Sequence, residues 1–212
     1  MWENLRVRRL RAMFDRCGED CEFHGKYLEI DGHVSAGDRC IFENHIVMRT
    51  KSGAHIELAS QVSMGEYTMI EATKGVQVGE QTGIGPYSVI RDTNHFVIGT
   101  DNHWRMTPHI AEPIVIGSKV LIDARCYITP GVTIEDGAIV APHSVVTKSI
   151  GPLEIWAGNP ARKIAHRLSG PVENMLGRYR ELLIWYGCQN MPEPSSIGIE
   201  ASDNGDATIK GV

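Results

Sequence analysis

The stretch IGSKVL IDARCY ITPGVT IEDGAI VAPHSV VTKSIG, residues 116–151, decides the fold because it repeats every six residues without a slip. Each hexad begins with Ile or Val, and its fifth residue is mostly small or β-branched. A period of six matches neither the turn of a helix nor the alternation of a free strand. It indicates a coil in which each hexad forms one strand and one turn, and three hexads close a triangular rung. Such repeats are typical of a parallel β-helix, so we predict a mainly β fold.

A looser hexad register precedes this run and slips by two residues near Gly75–Val76, as a bulge at a corner would cause. The period stops after His95, and residues 96–113 form a loop long enough to suggest a functional role. The positions that we assign to this register are Leu28, Val34, Cys40, Ile46, Ser52, Leu58, Met64, Ile70, Val78, Ile84 and Ile90.

Both ends of the chain predict helices. The segment Trp2 to Cys17 is apolar and arginine-rich, and we interpret it as a helix that covers the open end of the first coil; an anionic partner is the alternative. Val172 to Tyr186 carries an amphipathic stripe, and the polar composition after Met191 predicts a mobile tail. The expected organisation is a helical cap at 1–20, a β-helix at 21–156 with loop 96–113, a turn and helix at 157–189, and a flexible tail at 190–212.

Composition excludes several classes of protein. The 212-residue chain has a net charge of −5, which gives no general attraction to nucleic acid. Its five cysteines form no metal-type cluster and indicate reduced thiols in a cytoplasmic protein. The first residues lack the apolar core of a signal peptide. No segment approaches the roughly 20 apolar residues of a membrane span.

Four segments resemble the C-terminal half of the hexapeptide-repeat acyltransferases, above all the sugar, polysaccharide and xenobiotic O-acetyltransferases. They are Ile116-Gly117, Pro130 to Ile134, Ser144 to Lys148, and Ala157-Gly158-Asn159-Pro160-Ala161-Arg162. The resemblance implies a left-handed parallel β-helix, a homotrimer, and acetyl-CoA as acyl donor without a metal. It also implies that the acceptor is a hydroxyl group of a sugar or a polysaccharide precursor.

The same resemblance implies which residues contact acetyl-CoA. The chain departs from the family at Asp123, where glycine is usual, and at Ala141-Pro142-His143-Ser144, where Gly-Ala-Gly-Ser is usual. Backbone groups are expected to hold the pantetheine arm, and basic side chains the phosphates. The cofactor-binding residues so implied are Ala124, Pro142, Thr147, Lys148 and Arg162.

Acyl transfer from a thioester needs a base that takes a proton from the acceptor, and histidine suits this role near neutral pH. The family's catalytic histidine precedes the loop that leads into the last coils, and His95 matches that place. We therefore predict His95 as general base. Asp92 is a candidate to orient its imidazole, a role that a backbone carbonyl could equally fill. The loop residues His103 and His109 are expected near the acceptor, and the predicted substrate-binding residues are Asp92, Asn94, Trp104 and Arg105.

Three alternatives remain at this point. An N-acetyltransferase acting on an amino sugar would use the same base. A γ-carbonic-anhydrase-like zinc protein would share the coil, but zinc needs three nitrogen ligands, and His95, His103 and His109 lack the spacing of that class. A scaffold without catalysis would keep the coil alone. The remaining histidines, His24, His33, His45, His55 and His166, are interpreted as surface or packing residues.

Overall fold

The computed structural model describes residues 2–51, 53–97, 99, 103–167, 199–201 and 207–209. The chain divides into two compact units, Met1–Ala165 and His166–Val212. The first unit is a solenoid of about seven turns whose parallel strands lie on three faces. This confirms the predicted β-helix built from hexapeptide repeats.

Each face of the solenoid is a sheet that gains one parallel strand per turn, and face B ends in the additional strand Ala161–His166, which follows the strand Glu154–Gly158 after a two-residue turn. Face A contains β1 (Arg16–Cys17), β4 (Val34–Ala36), β7 (Ile56–Leu58), β10 (Val76–Val78), β15 (Ile114–Ile116) and β18 (Thr133–Ile134). Face B contains β2 (Glu22–Phe23), β5 (Ile41–Phe42), β8 (Ser63–Met64), β11 (Gly83–Ile84), β16 (Leu121–Ile122), β19 (Ile139–Val140), β21 (Glu154–Gly158) and β22 (Ala161–His166). Face C contains β3 (Leu28–Asp31), β6 (Ile46–Thr50), β9 (Met69–Ala72), β12 (Val89–Arg91), β17 (Tyr127–Ile128) and β20 (Val145–Val146).

The first residue of each hexad in the strict run points inward, and these side chains stack along the axis. Ile116 pairs with Ile134, Ile122 with Val140 and Ile128 with Val146, each partner 18 residues further along the chain. All six are buried. One rung therefore consists of three hexads, as the period predicted.

The looser register that the sequence predicts is correct from Leu58 onward and incorrect before that residue. Ile56 pairs with Val76, 20 residues on, which confirms the slip of two near Gly75–Val76. Val34 pairs with Ile56, 22 residues on, so four extra residues lie between the two strands. The error arises because β6 buries both Ile46 and Met48, and either can be taken as the start of a hexad.

The N-terminal helix α1 spans Trp2–Arg11 and is shorter than predicted. Arg16–Cys17 instead pairs with Ser35–Ala36 as the first strand of face A, because the coil there offers unpaired backbone groups. Arg6 donates hydrogen bonds to the carbonyl oxygens of Phe23 and Gly25. These contacts place the helix against the first coil.

The predicted loop 96–113 contains an antiparallel ribbon. Strands β13 (Thr93–His95) and β14 (His109–Ala111) pair with each other, and a 3-10 helix, η1, spans Trp104–Met106. The loop is thus the end of a hairpin that projects from the corner between faces C and A.

The predicted helix at 172–186 lies outside the described residues. In the second unit, β23 (Ile199–Ala201) pairs antiparallel with β24 (Ala207–Ile209), within the segment predicted as a tail. Among the described residues, no helix is long and apolar enough to cross a membrane.

Two neighbouring glycines of face B should respond differently to substitution. A Cβ at Gly85 would lie 2.6 Å from the backbone nitrogen of Ala124, whereas a Cβ at Gly83 would have no neighbour nearer than 3.4 Å. We expect Gly85→Ala to reduce the free energy of unfolding by about 1–3 kcal/mol, because the coils must move apart. Gly83→Ala is the matched control and should change it by less than about 1 kcal/mol. Equal losses in denaturant titrations would contradict this packing.

Candidate active site

The hairpin places three aromatic side chains around one another. His95 and His109 are direct partners in the ribbon, with ring centroids 4.2 Å apart and planes at 84°. The Trp104 ring meets His95 edge-on at 5.0 Å. Two strands and a 3-10 turn therefore hold the predicted base against two loop residues that the sequence placed near the acceptor.

The His95 imidazole is half-buried, and its two nitrogens differ. Nδ1 is buried and has no hydrogen-bond partner among the described residues. The side chain of Asn94 accepts a hydrogen bond from the His95 backbone N–H at 2.9 Å, so it fixes the local backbone. This contact gives Asn94 a conformational role and leaves its amide nitrogen for other partners.

Asp92 has a different role from the one predicted. It is fully buried, and its carboxylate accepts hydrogen bonds from the backbone N–H groups of Thr73, Lys74 and Gly75 at 2.6–2.8 Å. A carboxylate held by three N–H groups of the neighbouring turn neither orients His95 nor faces a substrate. Asp92 instead fixes the base of the hairpin to the preceding coil.

The surroundings of His109 favour its neutral form. Desolvation is the main cause that lowers the pKa of its imidazole, and the neighbouring basic side chains of His95, Lys51 and Arg91 lower it further. Lys51 and Arg91 thus lie close enough to influence the hairpin, and sequence reasoning missed both. Their approach depends on how the coils stack, so no local pattern in the sequence could have identified them.

Trp104 also contacts two polar side chains, those of Arg105 and His103. The Arg105 guanidinium lies 5.1 Å from the Trp104 ring centroid, and the His103 ring stacks on it at 5.9 Å. The indole is half exposed. A flat apolar ring beside a guanidinium can stack on a sugar or a base while the guanidinium meets negative charge.

The residues implied for acetyl-CoA lie on the last coils. Ala124 is half-buried, and the other four are exposed, which suits contact with a ligand. His143 donates its backbone N–H to the Ala124 carbonyl at 2.9 Å, so these two successive coils are joined beside Ala124 and Pro142. Among the described contacts, none joins these residues to His95. The residues implied for acetyl-CoA are Ala124, Pro142, Thr147, Lys148 and Arg162.

Two neighbouring cations of the last coils already have partners. Lys163 forms a 2.6 Å ion pair with Glu154, and this bond is the first cause that lowers the pKa of Glu154 to about 2. Arg125 lies over the Tyr87 ring at 5.5 Å. Lys148 takes part in no such ion pair among the described residues, so its charge is available to a phosphate.

Comparison with known proteins agrees with this geometry. The family model described as bacterial transferase hexapeptide (six repeats) matches residues 113–148, which covers most of the strict run. The chain therefore resembles the hexapeptide-repeat acetyltransferases over this segment. Members that it resembles include the putative colanic acid biosynthesis acetyltransferase WcaF of Escherichia coli, 32% identical over 109 residues. The galactoside O-acetyltransferase of the same organism is 35% identical over 92 residues, 42% of this chain and 43% of the relative.

Solved structures of acyltransferases share the fold. AntD of Bacillus cereus, an N-acyltransferase in complex with dTDP and 3-hydroxybutyryl-CoA, superposes with a TM-score of 0.66 at 19% identity. This match covers 88% of this chain and 97% of AntD. A galactoside acetyltransferase in complex with coenzyme A gives a TM-score of 0.51 at 24% identity, over 78% and 71% of the two chains. The match to WcaF covers 51% of this chain and 60% of the relative, so the likeness in sequence is partial.

Proposed function

We propose that this chain is an acyltransferase that moves an acetyl group from acetyl-CoA to a hydroxyl group of a sugar or a polysaccharide precursor. The observation that carries the proposal is His95, half-buried in the hairpin against His109 and Trp104 in a chain that resembles the hexapeptide-repeat acetyltransferases. The names of its relatives support a saccharide acceptor, because WcaF and the galactoside enzyme are both described as acetyltransferases of sugar compounds.

His95 acts as general base in this proposal. Since Nδ1 is buried, Nε2 is the nitrogen that faces the acceptor. It takes the hydroxyl proton while the acceptor oxygen attacks the thioester carbonyl, and the C–S bond then breaks. The imidazolium returns the proton to the departing CoA thiolate, so atoms and charges balance. A backbone N–H stabilises the tetrahedral oxyanion, as is common in acyl transfer.

A screen of acceptors tests this function directly. The protein is incubated with acetyl-CoA and sugars, nucleotide sugars or amino sugars, and release of free CoA thiol is followed together with the mass of the product. We expect acceptor-dependent thiol release and an O-acetylated sugar. Saturable acetyl-CoA binding with no transfer to any class of acceptor would instead favour a scaffold without catalysis.

N-acylation of an amino sugar is the second candidate. It is favoured by the structural likeness to AntD, which is described in complex with dTDP-4-amino-4,6-dideoxyglucose and coenzyme A. Arg105 and Lys51 would give the diphosphate of such an acceptor cationic partners near the hairpin. The mass and alkali stability of the product separate the two candidates, because an ester is hydrolysed by mild base and an amide is not.

Lys148 is proposed to contact the phosphates of acetyl-CoA, together with Arg162. Lys148→Ala should weaken acetyl-CoA binding by about tenfold or more, since a charge-assisted hydrogen bond contributes roughly 1.5–3 kcal/mol. Turnover at saturating donor should change little. Lys26→Ala, which removes an exposed lysine near the opposite end of the solenoid, is the control. Unchanged affinity in Lys148→Ala by calorimetry would remove this residue from the donor site.

A homotrimer is proposed as the working assembly. The donor residues of the last coils and His95 share no contact within the described part of one chain, so a site formed between neighbouring subunits would bring them together. Light scattering at micromolar concentration should give three times the 23.4 kDa mass of one chain. A monomer with full activity would show that one chain forms the whole site.

The cytoplasm is the proposed location. Cys17, Cys21, Cys40 and Cys126 are free thiols in the structure, as expected for a reducing compartment. Burial raises the pKa of the Cys40 thiol to about 11, which keeps it protonated and unreactive.

A further inference from the structure

Asp15, His33 and His55 lie in one column on the corner where face C passes into face A. Backbone hydrogen bonds fix them there: Asp15 N–H donates to the Val34 carbonyl at 2.8 Å, and the His33 carbonyl accepts from Ile56 N–H at 3.0 Å. Each residue directly precedes a strand of face A. The stacking of the coils, not the sequence spacing, thus brings the three side chains together.

The side chains of this column converge. One ligand atom from each of the three lies within 4.8 Å of the other two. His33 Nδ1 lies 3.0 Å from Asp15 Oδ2, and the His33 and His55 rings are 5.1 Å apart at 34°. All three side chains are exposed and can adjust their rotamers.

The column is open on the side of the next coil. The corresponding position there is Gly75, and a Cβ added to it would meet only the His55 carbonyl oxygen, at 3.6 Å. The His55 carbonyl accepts from Val76 N–H at 3.1 Å, so this coil is in register with the others. Space therefore remains beside His55 for water ligands.

We propose that Asp15, His33 and His55 bind one divalent transition-metal ion such as Zn²⁺. Two imidazoles and one carboxylate are a donor set that such ions favour, with bonds of roughly 2.0–2.2 Å. Rotation of the exposed side chains would bring the ligand atoms to that distance, and the ion would replace the contact between Asp15 and His33. The column includes none of the proposed catalytic or donor residues, so the ion has no part in acyl transfer.

The ion would join three successive coils at the N-terminal end of the solenoid. Because each ligand comes from a different coil, the complete site exists only when the coils are stacked, and unfolding breaks it. A ligand that binds the folded state alone raises the temperature of unfolding. Saturating Zn²⁺ should therefore raise the unfolding midpoint by roughly 5 °C.

The test uses the full chain without a polyhistidine tag, titrated with Zn²⁺ in a calorimeter and with Co²⁺ by absorption. We expect one equivalent per chain and Co²⁺ ligand-field bands without thiolate charge transfer. His33→Ala and His55→Ala should each weaken Zn²⁺ binding by roughly 100-fold or more, because each removes a metal ligand. Loss of a group that only hydrogen-bonds to a ligand costs about 10–100-fold. Asp15→Asn should weaken it as well, and unchanged unfolding midpoints without metal would show that these variants are folded.

His24→Ala is the matched control. His24 is an exposed histidine between Glu22 and Glu43, at 2.7 and 2.9 Å, and lies outside the column. Its loss should leave affinity unchanged. Equal weakening by His24→Ala, a thiolate band from the cysteines, or no stoichiometric binding would each overturn the proposal.

Discussion

Replacement of His95 by alanine should lower turnover by about 100-fold or more while acetyl-CoA affinity stays nearly constant. A positioned general base contributes typically 10²–10⁴-fold to the rate, and His95 is the hairpin histidine whose ring is packed between two others. Because acetyl-CoA is expected to bind on the last coils and not at His95, the substitution should lower turnover and leave acetyl-CoA affinity nearly unchanged. Steady-state kinetics with saturating donor, combined with calorimetry of acetyl-CoA binding, measure both quantities.

The control for this variant is His24→Ala, which removes an exposed imidazole from another part of the solenoid. It should retain the turnover of the unmodified protein. His109→Ala gives a third comparison, because His109 packs on His95 without being the proposed base. Its turnover should fall by less than that of His95→Ala. Unchanged turnover in His95→Ala would remove this residue from the mechanism.

Replacement of Asp92 by alanine should reduce the free energy of unfolding by about 3 kcal/mol or more. Three backbone N–H groups, those of Thr73, Lys74 and Gly75, would lose the buried carboxylate that accepts their hydrogen bonds. Hydrogen bonds to charged groups contribute roughly 1.5–3 kcal/mol each. Chemical denaturation followed by circular dichroism measures the change.

Asp136→Ala is the matched control, because this exposed carboxylate accepts a single backbone N–H, that of Ser118, at 2.7 Å. It should cost about 1 kcal/mol. Asp92→Asn keeps the shape and one acceptor oxygen and should fall between the two alanine variants. If Asp92→Ala retained full stability and lost only turnover, the predicted role beside His95 would be restored.

The fold was predictable because its signal is periodic. In residues 116–151 the first residue of every hexad is aliphatic and points inward, so only one register buries all of these side chains. Upstream, Ile46 and Met48 both point inward from one strand, and the sequence cannot say which of them begins the hexad. The register was therefore wrong by two residues there, although Val34, Cys40 and Ile46 are nonetheless buried.

The candidate site was predictable only in part. The break in the period identified His95, and the loop that follows supplied Trp104 and His109, which the structure brings to it. Asp92 was assigned to the wrong partner because its hydrogen bonds reach a turn 17 to 19 residues away. Such a contact depends on the length of the intervening coil, which contains a bulge.

The sequence by itself determined the coil, its strict register and the place where the chain leaves it, since burial of one residue in six allows only one such arrangement. The tertiary structure alone decided which side chains meet across coils. Lys51 and Arg91 approach the hairpin, Asp92 closes a turn, and Asp15, His33 and His55 form a column. The physical reason is that parallel coils place residues about 20 positions apart within contact distance, and insertions of two or four residues shift which residues meet.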